Sequence, residues 1–427
     1  MNDVVVPFTG TSRIVPAQSP LSLSLRISHN HQKSVRDAII SGADNFNGVI
    51  LDATKGHVQR ELRAEALSRG MDAALDPMTP QLAYEHKLTD SLTELPWGTD
   101  GPQRLHDYRD DQGRRKTAEL FNVVIRDGYT QVMAHTHVIS GPNDPWLHVD
   151  IANAQYLAGL RDAQSNRVEI IYPLVLTMEV FKDSVFMDAI ATALENAPID
   201  ILQFRIANFS WDASGTKTRD YILAARRLHD LNVPIVADMV GGVSGLALAA
   251  FGAVGGISHG VTLSQSFGIS AWQRPSNGEG RAQPPRVYLQ NLDLCVKKAE
   301  AEIYFANQSI ARRHICRDTH CCTGGRQSMM NNPTRHFMRQ RTREISELGQ
   351  VPPAMRSQAF LDQTIRPISD RLTAAANIDL GNEVLEKRLH KHSVRMSKMR
   401  DLVAHLIASD EIGGQALSPL RRSERTA

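Results

Sequence analysis

Residues 233–261, VPIVADMVGGVSGLALAAFGAVGGISHGV, contain the clearest fold signal in the sequence. It begins with a short apolar run (Val233–Val240), continues into the helical pattern SGLALAAFG, and ends in a second apolar run (Ala253–Val261). Two buried strands joined by a short helix form the crossover unit of a parallel sheet. The chain on the amino-terminal side of this stretch repeats the same rhythm.

Six further runs have this apolar character and are separated by amphipathic stretches: Leu21–Ser28, Asn47–Ala53, Asp72–Pro77, Thr130–Ile139, Val168–Leu176 and Ile199–Phe209. Because most of the runs are almost continuously apolar, they fit strands that are buried on both faces. Eight strands alternating with helices predict a closed (β/α)₈ barrel over residues 21–270. An open doubly wound sheet is the alternative, but no Gly-x-Gly-x-x-Gly follows the first strand to favour it.

Turn-forming residues divide the chain further. The segment Ser270–Arg286 is rich in Gly, Pro and Ser and indicates the end of the barrel. We therefore predict an N-terminal extension (1–20), the barrel (21–270), a zinc-binding subdomain (271–350), C-terminal helices (351–410) and a flexible tail (411–427).

The composition is that of an ordinary globular protein, with 427 residues, 42% hydrophobic and 22% charged residues, and a net charge of +2. An uninterrupted apolar run of about 18–20 residues is absent from the sequence, so we expect no membrane span. The first residues lack the pattern of a secretory signal, so we expect a cytoplasmic, reducing setting. In that setting clustered thiols more often bind metal or react than form disulfides.

Three of the four cysteines lie in CRDTHCC, residues 316–322. A structural zinc ion takes four thiolate or imidazole ligands in a tetrahedron. Cys316, Cys321 and Cys322 supply three, and His336 on a predicted following helix supplies the fourth, so we predict a structural Zn²⁺. His314 and His320 compete for the fourth place. Two alternatives remain: a thiol redox pair, since basic neighbours lower the pKa of a thiol, and inert buried cysteines.

Eight arginines lie between Arg312 and Arg343. Arg335, Arg339 and Arg343 are spaced four apart, so they form one stripe on a helix. An arginine row beside a zinc module predicts contact with the phosphates of nucleic acid, either tRNA or DNA. The alternative is a solvated helix face with acidic partners on neighbouring elements.

The active site of a (β/α)₈ barrel lies at the carboxyl ends of its strands. The candidate catalytic residues at these ends are Asp52, Asp76, Asp238 and His259. The candidate substrate-binding residues are Arg205, the two histidines of AHTH (His135 and His137), and the glycine pairs Gly241–Gly242 and Gly255–Gly256. The alternation of side chains predicts that both histidines point into the barrel. Glycines at strand ends would let a ligand approach the backbone, and a helix N-terminus there would bind an anion.

A barrel followed by a three-cysteine, one-histidine subdomain resembles the tRNA-guanine transglycosylase family, over roughly Leu21 to Leu348. The resemblance implies exchange of a guanine-type base in tRNA or DNA, with a free base as the small-molecule substrate and a structural zinc. It also implies that Asp238 is the nucleophile, Asp76 or Asp52 the acid/base, and Gly241–Gly242 the turn against the base. The cysteine spacing C-x₄-C-C and the run LDPMTPQLA depart from the family's patterns.

Two other functions remain open. One is a barrel lyase or aldolase that acts on a small phosphorylated metabolite, with the glycine pairs holding the phosphate. The other is a barrel protein that binds nucleic acid without catalysis. The sequence also leaves a homodimer open.

Overall fold

The chain folds as a closed eight-stranded parallel barrel in order β1 to β8, with β8 pairing back onto β1. The structure is a computed structural model that describes residues 20–27, 31–42, 46–262, 265–274, 285–409 and 414–425. The strands are β1 (Ser22–Ile27), β2 (Gly48–Asp52), β3 (Asp72–Asp76), β4 (Gln131–Met133), β5 (Glu169–Thr177), β6 (Ile201–Ala207), β7 (Ile235–Asp238) and β8 (Gly256–Gly260). The predicted (β/α)₈ barrel is confirmed, and each strand lies within a predicted run or ends one residue beyond it.

The strand β4 is shorter than expected. It ends at Met133, six residues before the end of the predicted run. Beyond it, the side chains of His135 and His137 lie against Thr79 and Asp150, and pairing resumes as an isolated bridge between Val138 and Val175. The apolar pattern of the run therefore reflects burial beyond the strand as well as strand pairing.

Side chains alternate between the inside and the outside of the barrel, as the two-residue period of a strand requires. A compact apolar layer fills the interior: Ile50, Ala74, Met133, Ile171, Ile201 and Val236. Two or four residues further along their strands, the same inward face carries a polar layer at the carboxyl ends: Asp52, Asp76, Arg205 and Asp238, joined by Arg26 and Ser258. The barrel itself thus places charged groups above its own core.

Helices surround the barrel and pack their buried faces on its outer surface. They are α1 (Gln32–Ile40), α2 (Arg60–Ser68), α3 (Thr79–Leu82), α4 (Asp90–Thr93), α5 (Asp110–Asp127), α6 (Pro145–Ala163), α7 (Met178–Phe181), α8 (Ser184–Leu194), α9 (Gly215–Arg226) and α10 (Gly242–Ala250). Local chemistry sets several ends. Asp183 caps α8 by accepting the backbone N–H groups of Val185 and Phe186, and Gly128 ends α5 in the left-handed conformation.

A mostly helical subdomain follows the barrel. It begins with a two-stranded antiparallel sheet, β9 (Val287–Leu289) and β10 (Leu294–Val296). Its helices are α11 (Lys298–Ala306), α12 (Gln308–His314), α13 (Arg326–Asn331), α14 (Pro333–Gln350), α15 (Pro353–Phe360), α16 (Arg366–Ala376) and α17 (Glu383–Ala408), with a π-helical turn at Leu361–Ile365 before α16. The apolar core of this subdomain is continuous with the outer core of the barrel.

The chain end differs from the predicted flexible tail. Residues 414–425 pack under the amino ends of the strands, where Leu417 bridges Pro234 and Ala416 is buried. The short helix α18 (Arg422–Arg425) brings Arg425 into ion pairs with Asp72 and Glu169. These contacts cover the end of the barrel opposite the mouth. The predicted N-terminal extension, apart from Pro20, and residues 411–413 and 426–427 of the predicted tail lie outside the described residues.

Within the described part of the chain, every helix is too short or too polar to cross a membrane.

Candidate active site and metal centre

Two arginines and two aspartates form a closed ion-pair lattice at the barrel mouth. Arg26 bridges the two carboxylates, with Nη1 at 2.7 Å from Asp76 Oδ2 and Nε at 2.7 Å from Asp238 Oδ1. Arg205 bridges them again, at 2.9 Å from Asp76 and 2.8 Å from Asp238. Ser258 donates a further hydrogen bond of 2.6 Å to Asp238. All four charged side chains are at least nine-tenths buried, so each relies on the others for its charge balance.

The lattice keeps both aspartates ionised. Burial by itself would raise the pKa of Asp76, but the guanidiniums of Arg205 and Arg26 outweigh it and hold that pKa well below its ordinary value. The pKa of Asp238 is lowered in the same way, against burial, by Arg26 and Arg205. Carboxylates held like this are weak bases, because a proton would have to displace an arginine.

Asp52 differs from the two lattice aspartates. It ends β2 beside Asp76 and faces the cavity at the mouth. Burial and the negative charge of Asp76 raise the pKa of Asp52 to about 6, although Arg26 and Arg205 act in the opposite direction. Among the described residues its carboxyl group makes no ion pair or hydrogen bond, so it can exchange a proton near neutral pH.

The cavity above this layer has a volume of about 580 Å³, within the usual range for small-molecule sites. Its polar lining consists of Arg26, Asp52, Asp76, Gln81, Lys87, Arg205, Ser266 and Ser270, and its apolar lining includes Met78, Met239, Phe267 and Trp272. Trp272 contacts the rings of Tyr84 and Phe267, with centroids 5.6 and 5.0 Å apart. Asp238 lies beneath the arginines and does not line the cavity. The predicted nucleophile is therefore placed out of a ligand's direct reach.

Left-handed backbone marks the turns that leave the mouth. Met78 has φ 59° and Met239 has φ 58°, each within two residues of a lattice aspartate. A residue with a Cβ seldom adopts this conformation without compensation. Met78 N donates to Asp76 Oδ1 at 2.8 Å, so the carboxylate itself stabilises one of these turns.

The predicted placement of His135 and His137 inside the barrel is wrong. His135 Nδ1 lies 2.7 Å from Thr79 Oγ1, and its ring meets the edge of Tyr108. His137 pairs through Nδ1 with Asp150 of α6 at 2.8 Å and stacks on Trp146, with centroids 3.5 Å apart. Because the chain leaves the sheet after Met133, both side chains pack between the barrel and its outer helices.

His259 also points away from the mouth. Its neighbour Ser258 faces inward to Asp238, so the strand alternation turns His259 outward. There Nδ1 lies 2.9 Å from its neighbour's carbonyl, Gly260 O, and the ring meets the edge of Phe337 on α14. Burial and Arg341 lower the pKa of His259 to about 4. Its predicted catalytic role has no support in this position.

The glycine pairs do not line the cavity. Gly255 and Gly256 lie at the amino end of β8, where a Cβ would clash with Leu417 O and Ser22 Oγ. Gly241 and Gly242 do lie at the carboxyl end, before α10, and Gly242 has φ +65°. A carboxylate already occupies that helix N-terminus.

That carboxylate is Asp293, which ties the subdomain to the barrel. Its Oδ2 accepts from Val243 N at 2.8 Å, and its Oδ1 accepts from Arg341 Nη2 at 2.8 Å. Arg341 stacks over the ring of Tyr288, whose hydroxyl donates to Glu344 at 2.8 Å. The turn that follows Asp238 is thus held by residues of β9, its following loop and α14.

The four predicted metal ligands come together. The donor atoms of Cys316, Cys321, Cys322 and His336 all lie within 4.8 Å of one another, and all four residues are buried. Cys321 Sγ and Cys322 Sγ are 3.6 Å apart, and His336 Nδ1 lies 3.3 and 3.4 Å from them. Zn–S bonds of about 2.3 Å in a tetrahedron put sulfur atoms about 3.8 Å apart, so the cluster fits a metal ion.

The competing histidines lie elsewhere. His314 Nδ1 is paired with Tyr304 Oη at 2.7 Å, and His320 is exposed. His336 Nε2 lies 2.9 Å from Tyr288 O, a contact that fixes the ring so that Nδ1 faces the thiols. All four cysteines are free of disulfides. The cluster could therefore bind a metal through the predicted set.

The arginine stripe of α14 is partly engaged within the protein. Asp318 Oδ2 lies 3.5 Å from Arg339 Nε and 3.7 Å from Arg343 Nη1, while Arg335 Nη2 donates to His320 O. The carboxylate of Asp318 also accepts from the backbone N–H groups of His320 and Cys321. The arginines thus anchor the cysteine loop. Of the three arginines of the stripe, Arg343 lines the adjacent cleft of about 860 Å³. Arg313, Arg317 and Arg371, which lie outside the stripe, also line this cleft.

The chain is thus a (β/α)₈ barrel with a charged mouth and an appended Cys₃His cluster. No protein-family model matches the chain, and no curated protein sequence matches it. Solved structures similar to part of it include a deoxyribose phosphate aldolase from Aeropyrum pernix (15% identity, TM-score 0.34, covering 57% of this chain and 86% of that one). Another is an HpcH/HpaI aldolase from Desulfitobacterium hafniense DCB-2, with 12% identity, a TM-score of 0.31, and coverage of 57% of this chain and 87% of that one. A third is a 3-dehydroquinate dehydratase from Enterococcus faecalis, with 12% identity, a TM-score of 0.33, and coverage of 58% of this chain and 90% of that one. Likenesses this weak carry no function to this chain, and the barrel rests on its own strand order.

Several residues of the mouth escape prediction as site residues. Arg26 can be recognised in the sequence as a charge near a strand end. Its pairing with Asp76 of β3 and Asp238 of β7 depends on barrel closure, which places β1 between β2 and β8. Lys87 ends a 3₁₀ turn (Glu85–Lys87), and Phe267 and Trp272 flank another (Ile269–Ala271), and such single turns have no strand or helix pattern in the sequence. The aromatic residues Phe267 and Trp272 in and just before SAWQRP are a weak sequence signal for a ligand-binding wall.

Proposed function

We propose that the protein is an enzyme of the lyase or aldolase type that uses acid–base chemistry on a small anionic metabolite in the barrel mouth. The observation that carries this proposal is Asp52, a cavity-facing carboxyl group whose pKa is raised to about 6. A group with this pKa can take a proton from a substrate carbon and return it near neutral pH. The lattice aspartates, which stay ionised, cannot do this as readily.

The cavity supports an anionic ligand with an apolar part. Lys87 lines it without an ion pair among the described residues, and Arg26 and Arg205 border its floor. These cations suit a phosphate or carboxylate, which replaces the predicted role of the glycine pairs. Trp272 and Phe267 form a wall that excludes water from the rest of the ligand.

In the proposed reaction Asp52 takes a proton from the carbon next to a carbonyl or carboxylate, and the C–H electron pair moves into an enolate. In the aldol direction this carbon forms a bond to an aldehyde carbon, whose oxygen takes the proton from Asp52. In a lyase reaction the hydroxyl group on the adjacent carbon leaves as water with that proton. The cations stabilise the negative charge that develops on the substrate oxygens. Asp76 and Asp238 hold the two guanidiniums in place. A metal ion in the Cys₃His cluster would be structural, because four protein ligands leave no open position for a substrate.

Turnover of a panel of small phosphorylated and carboxylated hydroxy-ketones, followed by NMR, tests this proposal. Asp52→Asn should abolish turnover while ligand binding to the mouth persists. Asp188→Asn, an exposed aspartate on α8, is the matched control and should keep full activity. An Asp52→Asn variant with wild-type turnover would contradict the assignment.

Base exchange of the transglycosylase type is the second candidate. It is supported by the Cys₃His cluster and by the neighbouring arginine-lined cleft, which suits the phosphates of tRNA or DNA. Here Asp52 and Asp76 are the carboxylates within reach of a base. Incorporation of labelled guanine into tRNA or DNA, lost in Asp76→Asn, would favour this candidate. Nucleic-acid binding without incorporation would favour the non-catalytic alternative.

A further inference from the structure

A second cavity lies on the flank of the barrel, between α2 and the carboxyl end of α5. It has a volume of about 340 Å³, at the lower end of the range for small-ligand sites. Ala53 and Leu75, the chain neighbours of Asp52 and Asp76, form its inner wall, and Trp97 and Tyr129 give it an aromatic rim. It is separate from the mouth, since the two cavities share no lining residue.

The charge of this cavity is strongly positive. Its lining includes the guanidiniums of Arg60, Arg63 and Arg126 and one carboxylate, Asp127. Asp127 is already engaged by Arg126, with Nε at 3.0 Å from Oδ1 and Nη2 at 3.3 Å from Oδ2. Arg60 and Arg63 therefore face the cavity without a carboxylate at hydrogen-bonding distance among the described residues.

Arg63 is the residue that most strongly indicates a ligand-binding site in this cavity. Its side chain is only 9% exposed, and its guanidinium lies over the ring of Tyr129, 4.5 Å from the centroid. Its Nη1 finds no hydrogen-bond partner among the described residues, since Asp127 Oδ2 stays 3.9 Å away. A buried guanidinium with an unsatisfied donor is costly unless an anion or another acceptor completes it.

We propose that this cavity binds a phosphate group, either free phosphate or the phosphate of a monoester. A dianion there would accept from Arg63 and Arg60, and the forked guanidinium of arginine matches phosphate oxygens. The aromatic rim of Trp97 and Tyr129 would contact the organic part of a monoester. Nothing in the mouth chemistry depends on this site.

Calorimetric titration of the full chain with inorganic phosphate tests the site, with sodium chloride at equal ionic strength as the control for screening. Arg63→Met should weaken phosphate binding at the flank cavity at least about tenfold without changing any binding at the mouth, and Arg63→Lys should restore part of it. Arg69→Met, at the end of the same helix and paired with Glu65, is the matched control and should leave binding unchanged. Phenyl phosphate in a parallel titration distinguishes the two ligand sources, because a monoester site should bind it more tightly.

A second substitution is expected to strengthen phosphate binding. It keeps the test independent of any loss of folding, because unfolding could only weaken binding. Asp127→Asn removes the competing carboxylate from a partly exposed helix end and should tighten phosphate binding about threefold or more. Absence of binding at millimolar phosphate would overturn the proposal. So would equal binding by the wild type, Arg63→Met and Asp127→Asn.

Discussion

At the scale of single residues, three aspartates at the carboxyl ends of barrel strands differ in their pKa because their partners differ. Asp76 and Asp238 each face two guanidiniums, whereas Asp52 faces Asp76 and the apolar lining. Residue type and strand position are the same in all three. The difference in their pKa therefore follows from the charged side chains that the closed barrel brings near each carboxyl group.

Asp52 should titrate with a pKa of about 6, as followed by carboxyl ¹³C NMR of labelled protein. Because this pKa is higher than that in the unfolded chain, ionisation of Asp52 favours the unfolded state. The contribution of Asp52 to stability is therefore present below about pH 4 and is lost as the pH rises through about 6, by on the order of 1–3 kcal/mol. Urea unfolding should show that Asp52→Asn removes this loss. Identical pH dependence in both proteins would contradict it.

Arg205→Met should destabilise the protein by about 3–5 kcal/mol, because it leaves two buried carboxylates with one guanidinium between them. Chemical denaturation measures the change in the free energy of unfolding. Arg227→Met removes an exposed arginine paired with Asp188 and should cost less than about 1 kcal/mol. Equal effects of the two variants would show that the lattice is not a major source of stability.

At the scale of elements, the loop of residues 316–322 owes its shape to Asp318. This residue accepts backbone hydrogen bonds inside the loop and pairs with arginines of α14, the helix that also carries His336. One carboxylate thus sets the distance between the thiols and the imidazole. It also pairs with two of the three arginines of the predicted nucleic-acid stripe, Arg339 and Arg343.

Asp318→Asn should lower the affinity of the cluster for Zn²⁺ about 10–100-fold, the usual effect of losing a residue that orients metal ligands. Competition with a chromophoric chelator measures the affinity. Asp370→Asn, an exposed residue of the same cleft, is the control and should leave it unchanged. An unaltered affinity in Asp318→Asn would mean that the loop holds its shape without this residue.

At the scale of the whole molecule, the Cys₃His cluster and the barrel mouth are joined through hydrogen bonds and one cation–π contact. His336 contacts the carbonyl of Tyr288, Arg341 stacks on that tyrosine, and Asp293 links Arg341 to the turn after β7. The subdomain is therefore part of the structural support of the mouth rather than an independent module.

The purified protein should contain one zinc ion per chain, and a chelator should lower its melting temperature by several degrees, because ligand binding stabilises the folded state. Cys321→Ser should remove the metal and reproduce the lower melting temperature. Cys295→Ser, which lies outside the cluster, should keep both. Elemental analysis and thermal melting measure these quantities. Retention of zinc by Cys321→Ser would contradict the ligand set.

The barrel and the Cys₃His cluster could both be predicted from local patterns in the sequence. Eight apolar runs at regular spacing can be buried together only as a parallel sheet with crossover helices, and scarce thiols gathered within seven residues meet with little chain entropy to overcome. The arrangement of side chains at the mouth could not be predicted in this way. Whether Asp238 or Asp52 faces a ligand, and whether His137 or His259 points inward, depends on a single residue of strand register and on contacts between residues far apart in the chain. Local patterns do not carry that information, because each strand's inward face is chosen by its neighbours in the closed barrel.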